Sequence, residues 1–113
     1  IMLNFAREVQ LLRDLGAKDI ILDPGFGFGK TLEQNYTLLD NMEQLQAFNL
    51  PILVGASRKT MIFKLLGSSP AEALNGTTVI NTMSLLKGAS ILRVHDVKEC
   101  VETVKIVKAT VGE

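Results

Sequence analysis

A chain of 113 residues, 47% hydrophobic and 21% charged, is the size of one ordinary domain and can bury a core, which excludes a disordered segment. Twelve basic residues balance twelve acidic ones, so no overall field draws in nucleic acid or an anionic membrane, and an anion site has to come from local clustering. A single cysteine, Cys100, excludes an internal disulfide and fits a reducing cytoplasm.

Met2, Phe5, Val9 and Leu12 recur at steps of three and four with charges between them, which predicts a helix over residues 2–15 stopped by Gly16. The segment IMLNFAREVQ lacks the apolar region of a signal peptide, and no apolar run approaches the ~18 residues of a membrane span. Because Ile1 already lies in a helical pattern, the start reads as a truncation boundary. Asp19-Ile20-Ile21-Leu22 then predicts a short strand ended by Asp23-Pro24-Gly25.

The loop that follows, ILDPGFGFGKT, imitates a phosphate-binding loop and fails its test. A P-loop has glycine five positions before the glycine of Gly-Lys-Thr, and here that position is Pro24, which has no N–H to offer a phosphate. A dinucleotide fingerprint fails as well, since Lys30 stands where its third glycine belongs. Thr31 with Gln34 forms a capping box, and Tyr36, Leu39, Met42 and Leu45 predict one amphipathic helix to about Asn49.

Pro51 to Val54 is the second predicted strand, left at Gly55, and Arg58 to Leu66 a short helix stopped by Gly67. Ser69-Pro70-Ala71-Glu72 combines a cap, a first-turn proline and a capping glutamate, and predicts a long helix to about Lys87. Ser90 to Val94 is the third strand, and Asp96 with Glu99 caps a last helix bearing Val97, Val101, Val104 and Val107, with Cys100 as small filler among them. This alternation implies an α/β chain of three parallel strands, buried on both faces and joined by helical crossovers. An eight-stranded barrel takes roughly 250 residues, so as barrel material the chain is less than half of one, with open outer edges.

Functional groups in such sheets sit at the carboxyl ends of the strands. Those ends read Asp23-Pro24-Gly25, Gly55-Ala56-Ser57-Arg58-Lys59 and Arg93-Val94-His95-Asp96, one carboxylate facing a group of cations. Asp23 has two readings: a cap on its own turn, or a buried acceptor for two parallel N–H donors such as the amino-pyrimidinone edge of a pterin-like ring. Lys30 points to solvent or to a ligand, and Arg58 is a surface charge or a ligand group. Lys59 lies within a turn of a strand end, where an ammonium meets ring oxygen or developing charge. Arg93 and His95 alternate onto one face and with the next helix N-terminus suit phosphate, against a plainer role for His95 as a structural imidazole. Phe26 and Phe28 are either ring-stacking walls or packing residues. No Cys/His metal spacing is present.

DPGFGFGK, GASRKT and RVHDV, in this order and at these separations, together resemble the C-terminal half of the dihydropteroate synthase family, over about Gly16 to Val107. The resemblance implies a partial TIM barrel and a folate-pathway reaction, in which p-aminobenzoate displaces diphosphate from a hydroxymethyl-dihydropterin. It implies that Asp23 binds the pyrimidine edge of the pterin, with Gly55 near the ring and Lys59 on its oxygen and nitrogen side. Phe28 and Ser57 would belong to the p-aminobenzoate pocket, and Arg93 and His95 would hold the diphosphate, so Lys59, Arg93 and His95 are the expected catalytic groups. Magnesium bound by an Asn of the first half, a homodimer through the last helices and a cytoplasmic location are implied too. Thr60 stands where many members have Ser. The first half's Asn and mobile loops are absent, so the chain alone is expected to be inactive. The competing readings are a pterin-binding methyltransferase domain and a non-catalytic association module.

Overall fold

The computed structural model describes residues 2–27 and 29–112. Helix α1 (Met2–Asp14) is followed by an extended stretch, α2 (Leu32–Asp40), a 3-10 segment Met42–Phe48 and strand β1 (Leu53–Val54). Helix α3 (Thr60–Leu66), a 3-10 turn Pro70–Glu72, α4 (Leu74–Leu86), β2 (Ile91–Leu92) and α5 (Val97–Val111) complete the order. Strand β1 pairs in parallel with β2, Leu53 opposite Ile91 and Val54 opposite Leu92. The first predicted strand is reduced to one parallel bridge, Leu22 to Ile52. Two bonds make it, Leu22 N–H to the Pro51 carbonyl at 2.9 Å and Leu53 N–H to the Leu22 carbonyl at 2.8 Å. The α/β class and parallel direction are therefore as expected, with two strands and a bridge instead of three strands.

The strands are shorter than predicted and only the inner ones are buried. Ile52 and Val54 are closed off from solvent, whereas Ile91 is 38% exposed, as an edge strand leaves it. The core instead forms where the helices meet the Leu22 and β1 segments: Leu22, Phe26, Leu39, Met42, Leu45, Met61 and Ile62 are all buried. The stripe predicted for the second helix thus packs as expected, but the helix itself breaks at Asn41. Its Nδ2 and its N–H both donate to the Thr37 carbonyl, at 2.9 and 3.1 Å, a side-chain back-bond of the kind that bends helices. The Asp40 carbonyl, which a continuing helix would bond to Gln44, accepts instead from Lys87 Nζ at 2.7 Å, and the Gln44 N–H turns to Asn41.

The other helix starts divide into those made as read and those that are not. Thr31 Oγ1 accepts from the Gln34 N–H at 3.1 Å and Gln34 Oε1 from the Thr31 N–H at 2.9 Å, the full capping box. At Ser69 no such box forms: the hydroxyl bonds the Glu72 carboxylate at 3.2 Å, Pro70–Glu72 makes a 3-10 turn, and α4 begins only at Leu74. Helix α3 begins at Thr60, because Arg58 is in the left-handed region at φ 54. Asp96 precedes α5 without capping it by side chain. On α5 the buried contact is Thr103, while Val97 and Val101 stay exposed. Gly88, at φ 106, ends the turn after α4 with Gln46 packed against its Cα, and burial pushes the Cys100 thiol pKa up.

Candidate functional site

The three carboxyl-terminal connections converge as the parallel register requires. Arg93 follows β2 with its N–H on the Val54 carbonyl at 2.9 Å, which sets it level with Gly55. Gly55, Ser57, Lys59, Arg93, Val94 and His95 line one small cavity of about 110 Å³. Five of the residues singled out in sequence are therefore together.

Each wall of this cavity has a local cause. A Cβ on Gly55 would lie 2.7 Å from Arg93 Nη2 and 3.0 Å from its Nε, so the guanidinium rests against bare backbone. Ser57 is buried and its Oγ is 2.8 Å from His95 Nδ1, while the His95 N–H donates to the same oxygen at 3.3 Å. Lys59 Nζ donates to the Phe26 carbonyl at 2.8 Å. Burial, then repulsion from Arg93, pulls the Lys59 amine below the ordinary lysine value; the Asp23 charge works the other way and Lys30 adds to the lowering. The convergence of cations is thus felt at Lys59.

Asp23 does not line this cavity. Its carboxylate is exposed, not buried, and Oδ1 accepts from the Gly25 N–H at 2.8 Å, so the turn-capping role is present in the structure. Lys30, read as facing solvent or ligand, folds back to donate to the Gly25 carbonyl at 2.8 Å. Phe26 is a core residue at 1% exposure, which settles the packing alternative for it. Phe28 lies outside the described residues.

Two contacts escaped the sequence reading. Asn35 Oδ1 accepts from the Gly27 N–H at 2.8 Å and its Nδ2 donates to the Thr31 carbonyl at 3.0 Å, holding the glycine loop to α2. The available signal was an amide on the same helical stripe as Leu39, a buried position that demands partners. Arg58 is not a cavity group: its partly exposed guanidinium pairs with Asp96, Nε to Oδ2 and Nη2 to Oδ1, both at 2.9 Å. No local pattern announces an ion pair across 38 residues.

The profile of the pterin binding enzyme family matches residues 3–95, which takes in all three strand ends. The chain belongs to that family. Among curated relatives of this pterin binding enzyme chain, dihydropteroate synthase of Escherichia coli strain K12 is 48% identical over 98 residues, 87% of this chain and 35% of that protein. The bifunctional dihydropteroate synthase/dihydropteroate reductase of Helicobacter pylori is 40% identical over 105 residues, 93% of this chain and 28% of that protein. Among solved structures, Yersinia pestis dihydropteroate synthase superposes at a TM-score of 0.91 with 44% identity, covering 96% of this chain and 52% of that one. A Coxiella burnetii dihydropteroate synthase in complex with pteroic acid superposes at 0.90 with 37% identity, covering 95% and 41%. The chain spans about a third of the length of the curated relatives it matches. Among the described residues no helix is long and apolar enough to cross a membrane.

Proposed function

We propose that this chain forms the C-terminal strands of a dihydropteroate synthase barrel. It would supply the anion end of the site in which p-aminobenzoate displaces diphosphate from 6-hydroxymethyl-7,8-dihydropterin diphosphate. The observation that carries the reading is the meeting of Ser57, Lys59, Arg93 and His95 around one cavity, in a chain 48% identical to such an enzyme. In the reaction the C–O bond to diphosphate breaks, a C–N bond forms to the amine, and the amine loses a proton. Arg93 and His95 would take the charge that develops on the departing diphosphate, which is where preorganised donors accelerate such a step most. Lys59 would serve the oxygen and nitrogen side of the pterin, with Gly55 beneath the ring. Asp23 would accept from the pyrimidine edge with the oxygen that Gly25 does not hold. Ser57 would lie toward the carboxylate of p-aminobenzoate, with Phe28 in the same pocket.

Magnesium is a separate matter. The donors around the cavity are two cations, a hydroxyl and an imidazole, and among the described residues no three of His, Cys, Asp and Glu come together. This set does not fit a hard divalent ion, which favours carboxylate and carbonyl oxygens.

A turnover assay with the pterin diphosphate and p-aminobenzoate tests the reading at both levels. A full-length synthase carrying this segment is expected to turn over, and the 113-residue chain alone is not; activity of the isolated chain near that of the longer enzyme would overturn the second statement. In the longer enzyme, Asp23→Asn is expected to weaken pterin binding far more than diphosphate binding. Equal losses would remove Asp23 from the ring contact.

A further inference from the structure

The bond between Ser57 and His95 joins two different connections, and directly beside it runs a second cross-link between their immediate neighbours. Arg58 grips Asp96 with both sides of its fork, and its third nitrogen, Nη1, donates to the carbonyls of Pro70 at 2.7 Å and Ala71 at 3.2 Å. Its backbone N–H donates to Thr77 Oγ1 at 3.0 Å. Every nitrogen of Arg58 is thus engaged within the protein, and the residue does not line the cavity. Its φ of 54 is a conformation that a non-glycine residue keeps only where the surroundings over-determine it.

The Ser57 hydroxyl has one proton to give and two lone pairs with which to accept. The hydroxyl oxygen accepts from the His95 N–H at 3.3 Å and lies 2.8 Å from Nδ1, a contact in which the ring's tautomer sets which atom donates. A neutral imidazole that accepts at Nδ1 carries its own proton on Nε2 and can only donate there. We propose that Arg58 is a positioning residue: its fork to Asp96 locks the two connections together, so that Ser57 fixes His95 in the Nε2–H form and the site offers a phosphate-like oxygen an N–H donor. The role offered to a ligand rests on the anion reading given above.

The test uses the 113-residue chain, labelled with 15N, with long-range proton–nitrogen spectra of the His95 ring and calorimetry with inorganic diphosphate. At a pH where the ring is neutral, the wild type is expected to show the Nε2–H tautomer; a ring protonated at Nδ1 instead overturns the proposal. Arg58→Lys replaces the fork by a point charge. It is expected to mix the tautomers and lower diphosphate affinity on the order of ten-fold, the scale typical of groups that orient a binding side chain, with the helical circular dichroism retained. Asp96→Asn is expected to act in the same direction and decides the matter if Arg58→Lys does not fold. Unchanged ring signals in either folded variant sink the proposal. Should diphosphate fail to bind the wild type while the ring still responds to Arg58, the positioning role stands and the anion reading falls.

Discussion

Gly55 shows how much one absent side chain decides. Arg93 can lie flat against the strand end only because nothing projects from Gly55, and an added Cβ would meet the far end of a long, flexible side chain, not backbone. Gly55→Ala is therefore expected to leave stability within about 1 kcal/mol while displacing the guanidinium. On the proposed anion role of Arg93, loss of one charge-assisted hydrogen bond is then expected to weaken inorganic diphosphate binding on the order of ten-fold, read by calorimetry beside a denaturation curve. Unaltered affinity would show that Arg93 does not need its present position. Asp96 gives a pH prediction. Hydrogen bonds from Arg58 hold its carboxyl below the usual carboxylate value, against the opposing effect of burial. A carboxylate with a folded pKa below its unfolded one stabilises the fold fully above the unfolded value, and loses that contribution as pH falls through the folded one. A carbon-13 titration is expected to show Asp96 protonating later on acidification than an ordinary aspartate, and Arg58→Lys to move it back up. At this scale the sequence revealed which residues meet at the cavity, because strand ends in parallel sheets converge by rule. It could not reveal Arg58 to Asp96 or Asn35 to Gly27, which are set by the distance between connections and leave no periodic mark.

Elements were legible where their determinants are local. The Thr31 and Gln34 box depends on four consecutive residues and forms as read, so Thr31→Ala is expected to cost about 1 kcal/mol in urea denaturation. A loss near zero would mean that packing of Tyr36 and Leu39 alone starts α2. The break at Asn41 was not legible, since a continuous apolar stripe over Tyr36, Leu39, Met42 and Leu45 describes a helix equally well with or without it. What interrupts the ladder is Lys87, which comes from the end of α4, takes the Asp40 carbonyl and pairs with Glu43 at 2.8 Å. The Ser69 start failed for a comparable reason: Glu72 binds the serine hydroxyl where a capping box would turn the serine inward, and the turn carbonyls of Pro70 and Ala71 serve Arg58. Helix α3 and α4 approach so closely that a Cβ on Gly76 would fall 2.4 Å from Ile62 Cγ2, a contact no helix pattern contains. Tyr36 ties the same region together, its hydroxyl donating to the Met61 carbonyl at 2.6 Å.

Over the whole molecule, the alternation of apolar runs and caps conveyed the α/β class and the parallel direction, while strand length was overestimated because the outer runs lack a neighbour on one side. The same lack leaves apolar surface uncovered: Val97, Val101 and Ile106 on α5 are 65%, 46% and 67% exposed, and Leu86 on α4 is 57% exposed. Surface of this kind together with open sheet edges favours association. The chain is expected to form dimers or larger species without ligand, and a clean monomer by light scattering at micromolar concentration would refute this. The arm bearing Asp23 hangs on the Leu22 bridge, on Phe26 in the core and on the side-chain bonds of Lys59 and Asn35, whereas Gly55 and Arg93 continue the paired strands. Segments with few ladder bonds open locally at lower free energy than paired ones. Hydrogen exchange is therefore expected to be faster at the Gly25 and Gly27 amides than at those of Ile91 and Arg93, which bond the Ile52 and Val54 carbonyls. The half of the site that would read the shape of a ring is then its soft half, and the half that would read charge is the stiff one.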